Sequence, residues 1–203
     1  LFYFLYNKFN KLFSVPRMYH FFMKEKLDDN KKIPKTFLKL SKNEIKKSSS
    51  YLKSFGIKKT FLAIIPGAAW KQKCWGTNKY IQLIKMIDLP VVLLGSKSDS
   101  ICFEISKKLK KVINLAGKTN LREAMAILSN SHYVIGSDTG LTHIAEALGK
   151  NVSMILGPTS FETGANVILE ESKTIKKDIW CRPCSQNGKR KCYRSKQFCM
   201  DLI

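Results

Sequence analysis

The sequence predicts an α/β protein built on a Rossmann-like, doubly wound parallel sheet, and three observations point there. From Thr60 onward, short apolar runs alternate with amphipathic helical patterns about every twenty-five residues, the rhythm of βα units. The apolar runs are short, β-branched and continuous, as strands covered on both faces are. Glycine, serine and aspartate cluster where those runs stop, so turns and helix starts fall at the carboxyl ends of the strands.

Leu1–Met23 is rich in aromatics and carries only basic charges; as a helix it would place Leu5, Phe9, Leu12 and Phe13 on one face. It reads either as an amphipathic membrane-surface helix or as a packing element of an upstream domain. Basic residues interrupt its apolar run, which argues against a signal peptide. Lys24–Ser50 is polar and lysine-rich, a linker leading into a helix over Lys42–Phe55 that Gly56 ends.

The regular part follows. Phe61–Ile65 is a strand ended by Pro66-Gly67. Asn78–Ile87 is a helix with Ile81, Ile84 and Leu83 or Ile87 inward. Val91–Leu94 is a strand stopped by Gly95-Ser96, Ser100–Lys110 an amphipathic helix, Val112–Leu115 a short strand and Leu121–Leu128 a helix. The organising unit comes next. Tyr133–Ile135 is a buried strand, Gly136–Gly140 a turn, and Leu141, Ile144, Ala145 and Leu148 a helical face closed by Gly149. Val152–Leu156 is the next strand. The expected division is 1–56 as the remnant of an N-terminal domain with its linker, 57–180 as the Rossmann-like domain, and 181–203 as a cysteine-rich tail.

Composition bounds the function. The chain has 203 residues, 44% of them hydrophobic, and 36 Lys and Arg against 15 Asp and Glu give a net charge of +21. Such an excess attracts anionic partners such as nucleic acid, acidic lipid or phosphorylated ligands, although the lysines are scattered along the whole chain. Six cysteines, four of them in the tail, do not make a disulfide framework. No apolar run reaches the roughly 20 residues of a membrane span, and the sequence does not open with Met, so Leu1 is not taken as the biological start.

Three loops at strand carboxyl ends suit one phosphorylated ligand. In Pro66–Trp75, small residues let backbone approach an anion and Lys73 supplies a point charge; the plain alternative is a turn with solvated lysines. In Gly95–Asp99, the Asp99 carboxylate suits ribose hydroxyls or a helix N-cap. In Ser137–His143, Thr139 and Gly140 offer N–H groups to phosphate at a helix N-terminus, Asp138 orients the loop or meets a hydroxyl, and His143 lies one turn into the helix.

Taken together, Pro66-Gly67-Ala68 with Lys73-Cys74-Trp75, Leu94-Gly95-Ser96, Asn114–Thr119, Asp138–His143 and Leu156–Thr159 resemble the lipopolysaccharide heptosyltransferase family, glycosyltransferase family 9, from about Thr60 to the C-terminus. The resemblance implies a GT-B fold, in which two Rossmann-like domains face each other; this chain would supply the C-terminal, nucleotide-sugar half. It further implies that Lys73 neutralises the diphosphate and stabilises the leaving group, with Ala68 and Ala69 giving backbone around it. Asp99 would meet the ribose, and Asp138, Thr139, Gly140, Leu141 and His143 would line diphosphate and sugar. The expected reaction is inverting transfer of a heptose or related sugar from an ADP-linked donor to the lipopolysaccharide core, with no metal and no cofactor. The catalytic base would come from the N-terminal domain, which nothing here matches. The implied location is the cytoplasm, peripheral at the inner face of the inner membrane, with contact to its anionic surface.

The tail allows a second reading. Cys181 and Cys184, with Cys192 and Cys199, resemble a four-thiolate zinc site, and Lys189, Arg190, Lys191 and Arg194 between them suggest nucleic acid. The family resemblance extends over these cysteines and ranks a structural role ahead of zinc, with no nucleic-acid partner expected. A basic zinc-tail module and a truncated, inactive glycosyltransferase are the alternatives to the transferase.

Overall fold

In the computed structural model, which describes residues 35–58 and 60–203, strands and helices alternate as expected. The reading of Leu1–Met23 as an amphipathic or packing helix lies outside the described residues. Helix α1 (Lys42–Ser54) starts at a capping box, with Ser41 and Glu44 bonded reciprocally. There follow β1 (Leu62–Ile65), a 3-10 turn at Lys71–Lys73, α2 (Thr77–Lys85), β2 (Val91–Leu93), α3 (Ser100–Lys108), β3 (Val112–Asn114) and α4 (Leu121–Asn130). Then come β4 (Tyr133–Ser137), α5 (Gly140–Ala147), β5 (Val152–Leu156), β6 (Lys173–Lys176) and a short α6 (Phe198–Asp201).

The six strands form one sheet in the order β3-β2-β1-β4-β5-β6, and every pairing is parallel. Because side chains alternate across a strand, β1 feeds both cores: Ala63 and Ile65 point to one, Ile64 to the other. The first core holds Leu52 of α1, Ile127 and Leu128 of α4, and Ala145 of α5. The second holds Tyr80, Ile81 and Ile84 of α2, Cys102 and Ile105 of α3, and Cys199 and Met200 from the tail. Helices therefore cover both faces, as a doubly wound sheet requires. No helix among the described residues is long and apolar enough to cross a membrane.

Boundaries differ from the sequence reading for local reasons. Helix α2 stops at Lys85 because Met86 and Ile87 bond to the carbonyls three residues back, a tightened last turn. Leu109 turns extended to plug the second core, ending α3 before Lys110. Strand β4 runs on through Gly136 and Ser137 because both pair with β5. Strand β6 was not expected: Lys-Thr-Ile-Lys has no continuous apolar run, and three of its four residues are exposed on the sheet edge.

Candidate functional site

The sheet order reverses between β1 and β4, the place where open α/β sheets form their ligand crevice beyond the strands' carboxyl ends. Hydrogen bonds fix its floor. The buried Ser137 hydroxyl donates to Pro66 O at 3.0 Å, Tyr80 donates to Ser137 across 3.3 Å, and Thr142 Oγ1 donates to Ser137 O at 2.8 Å. The loop after β1 and the head of α5 are thereby held together.

Asp138 is the hub of this crevice. Its carboxylate takes the Lys73 ammonium at 2.8 Å and the Thr159 hydroxyl at 2.9 Å on Oδ2, while His143 Nε2 lies 3.2 Å from Oδ1. The Asp138 side chain is 7% exposed and that of Lys73 14%. Burial alone would raise the carboxyl's pKa, but the His143 bond, the Lys73 charge and bond, and the Thr159 hydroxyl outweigh it and hold the group at about 2. An ammonium carries three donors, so the pair with Asp138 leaves Lys73 donors for a ligand oxygen. Thr139 stands at the N-cap of α5 without a side-chain cap bond, and Gly140 opens the helix with free space where a side chain would project. Helix N-termini present N–H groups lacking intrahelical acceptors, a setting suited to a phosphate.

On the other side of the same loop lies a cavity of about 650 Å³. Gly67, Ala68, Trp75, Ser98, Asp99 and Glu104 line it, together with Gln197, Met200 and Asp201 of the tail. Asp99 heads α3 yet gives that helix no side-chain cap; its Oδ2 accepts instead from Ser96 N at 2.6 Å and Ser96 Oγ at 2.9 Å. Asp99 thus holds the N-cap position that the sequence allowed, while its carboxylate closes its own loop instead of capping the helix. Gly67 has no alternative here, since a Cβ on it would fall on that carboxylate.

The tail folds back onto these loops. Gln197 Nε2 donates to Gln72 O at 2.5 Å, Trp75 Nε1 to Ile203 O at 3.3 Å, and Lys79 Nζ to Met200 O, Asp201 O and Ile203 O at 2.7–2.8 Å. Cys181, Cys184, Cys192 and Cys199 line one small cavity as free thiols. Burial, then the neighbouring thiols, pushes Cys184 and Cys199 above the ordinary thiol range. Among the described residues no group of three or more His, Cys, Asp or Glu side chains is arranged to hold a metal. Of the tail cations, Arg194 stacks on Phe198 with its guanidinium 4.2 Å from the ring centre, and Lys189 lies over Trp70 at 5.6 Å. Cys102 is buried and pushed up to about 12 by burial and by Asp99, while Cys74 is half-buried at the cavity edge.

The structure therefore divides the predicted residues. Lys73, Asp138 and His143 meet in one network, with Thr139 and Gly140 above it. Ala68 and Asp99 face the adjoining cavity. Ala69 is exposed on the loop, and the Leu141 side chain packs against the first core, which leaves only its backbone for a ligand. Two contributions escaped the sequence: the Thr159 hydroxyl on Asp138 and the tail residues in the cavity wall. The Gly157-Pro158-Thr159 turn was a signal for the first, being another glycine turn at a strand's carboxyl end.

The family model of glycosyltransferase family 9 (heptosyltransferase) matches residues 8–193. Lipooligosaccharide heptosyltransferase 2 of Haemophilus influenzae is 36% identical over 109 residues, covering 49% of this chain and 32% of that protein. Lipopolysaccharide heptosyltransferase 3 of Escherichia coli is 30% identical over 122 residues, covering 56% and 36%. The matched part of the chain thus spans about a third of these relatives' length. Among solved structures, ADP-heptose lipopolysaccharide heptosyltransferase II of E. coli superposes with a TM-score of 0.63 at 26% identity, covering 73% of this chain and 47% of that one. A family 9 glycosyl transferase from Veillonella parvula shares the fold with a TM-score of 0.62 at 15% identity, covering 75% and 46%.

Proposed function

This chain belongs to glycosyltransferase family 9, the heptosyltransferases, and from that premise we propose that it is the donor-binding half of an enzyme moving a heptose from an ADP-linked donor to a lipopolysaccharide core acceptor. Residues 57–180 form the nucleotide-sugar domain, opposed in the GT-B manner by an acceptor domain that supplies the base. The donor diphosphate lies between Lys73 and the head of α5, and its base and ribose lie toward the cavity at Asp99. As the glycosidic bond to the diphosphate breaks, negative charge grows on the leaving oxygens. Lys73 and the N–H groups at Gly140 and Leu141 are already aimed at that place, so little reorganisation opposes the step. Displacement is direct and inverts the anomeric carbon.

The observation that carries this reading is the buried Lys73–Asp138 pair at the sheet's reversal point. Asp138 does not touch phosphate; it fixes the lysine that does. The E. coli relative of known structure is an ADP-heptose lipopolysaccharide heptosyltransferase, which supports the choice of base and sugar. The +21 charge suits docking at an anionic membrane surface, where the acceptor would be met.

A thermal-shift titration with ADP, UDP and GDP tests the proposal. ADP at a hundredfold excess over Kd should stabilise the fold by about 2.7 kcal/mol, with a smaller shift for Lys73→Ala at equal ADP. A folded chain that gives no shift with any nucleotide overturns it.

A further inference from the structure

We propose that the 185–188 turn of the tail is part of the donor site: Gly188 seats the aliphatic stem of Lys73 and so sets where its ammonium lies. The inference rests on the reading that Lys73 meets the donor diphosphate. Gly188 is buried, has φ +84°, and lies so close to Lys73 that a Cβ there would fall on the lysine's Cγ and Cδ. A lysine stem ordinarily yields to such a clash. This one is tethered at its far end by the 2.8 Å bond to Asp138, so it cannot swing aside without giving up that bond.

The turn is fixed as firmly as the lysine. Cys184 N and Ser185 N donate to Pro158 O at 3.1 and 3.2 Å, and Gly188 N donates to the Ser185 hydroxyl at 2.9 Å. Pro158 precedes Thr159, whose hydroxyl holds the same Asp138 oxygen that holds Lys73. The contacts thus close a ring from Asp138 through Lys73, Gly188, Ser185, Pro158 and Thr159 back to Asp138. The charge is held at its tip by a carboxylate and along its stem by a backbone that only glycine supplies. Gly188 acts through Lys73 and is a positioning residue.

Gly56 provides the control. Its φ is +83°, and nothing lies within 4 Å of a Cβ built on it, so Gly56→Ala carries the same backbone strain without the collision. The test compares Gly188→Ala with Gly56→Ala and wild type by two readouts. Acetylation of Lys73 by an N-hydroxysuccinimide ester, followed by peptide mass spectrometry, needs no ligand. It should rise severalfold in Gly188→Ala and stay at the wild-type level in Gly56→Ala. ADP affinity, read by titration, should fall roughly tenfold or more in Gly188→Ala alone, the scale on which small misplacements of a site charge act. Unchanged acetylation in Gly188→Ala overturns the seating of Lys73. Raised acetylation with unchanged ADP affinity keeps the contact but overturns the place of the turn in the donor site, and with it the role of Lys73. No ADP binding by wild type, with acetylation behaving as expected, sinks the donor reading while the seat stands. If Gly188→Ala does not fold, the glycine change is made in the Lys73→Ala background and compared with Lys73→Ala alone: a cost in stability no larger than that of Gly56→Ala in wild type supports the seat, and a larger cost overturns it.

Discussion

Lys73 reaches Asp138 from the loop of a different strand, and the two close a 2.8 Å ion pair whose side chains are 14% and 7% exposed. The carboxylate's pKa of about 2, below its ordinary 3.8, makes folding depend on pH. A group with a depressed folded-state pKa contributes stability above its unfolded value and loses it as pH falls through the folded one. The contribution here is about 2 kcal/mol, present above pH 4 and gone near pH 2. Asp138→Asn removes that titration. Wild type minus variant stability, from urea unfolding at several pH values, should therefore shrink between about pH 4 and pH 2. A constant difference would show that Asp138 is not the titrating group.

Removing one partner of a buried pair strands the other charge. Lys73→Met should cost about 3 kcal/mol, Asp138→Asn a similar amount, and the double variant clearly less than their sum, with a coupling of about 1–3 kcal/mol. Denaturant melts of the four proteins measure it, and strict additivity would mean that the pair is not formed in solution.

Glu146, buried in α5, accepts from the backbone N–H groups of Ile168 and Leu169 at 2.5 and 2.7 Å. Glu146→Ala leaves both donors without an acceptor and should lower stability by about 2–4 kcal/mol. Amide exchange at Ile168 and Leu169 should quicken ahead of exchange in β1 and β4.

Lys79 ties down the end of α6 by donating to three carbonyls, and it lies 5.6 Å from the centre of the Trp75 ring. A cation at a helix C-terminus is stabilising. Lys79→Met should loosen residues 198–203 at a cost of about 1 kcal/mol, seen as faster proteolysis of the tail, with the melting of the sheet changed little.

The strands β1 to β5 and the helices between them were legible because each buries a continuous run or one apolar face, and burial writes itself into local pattern. Strand β6 was not, since Lys173 and Lys176 lie on an exposed edge where pairing comes from backbone alone. The loops at the strands' carboxyl ends were legible as turns through glycine and hydroxyl content. What joins them was not. Nothing near Lys73 names Asp138 as its partner, and nothing near Asn187-Gly188 says that the turn will lie against a lysine from the far side of the sheet order. Such pairings depend on where a strand is placed, which short-range pattern does not encode.

The ring from Asp138 through Gly188 draws its members from widely separated parts of the chain, and that has a consequence during synthesis. A ribosome adding roughly 5–20 residues per second releases Thr159 a few seconds before the Ser185–Gly188 turn. In that interval the loops after β1, β4 and β5 already exist, while the lysine proposed to meet the donor lacks its contact with Gly188. Nucleotide arriving during those seconds finds Lys73 held at its tip by Asp138 but not along its stem, so the full help a bound donor would give to the maturing protein comes late, after the tail has folded home.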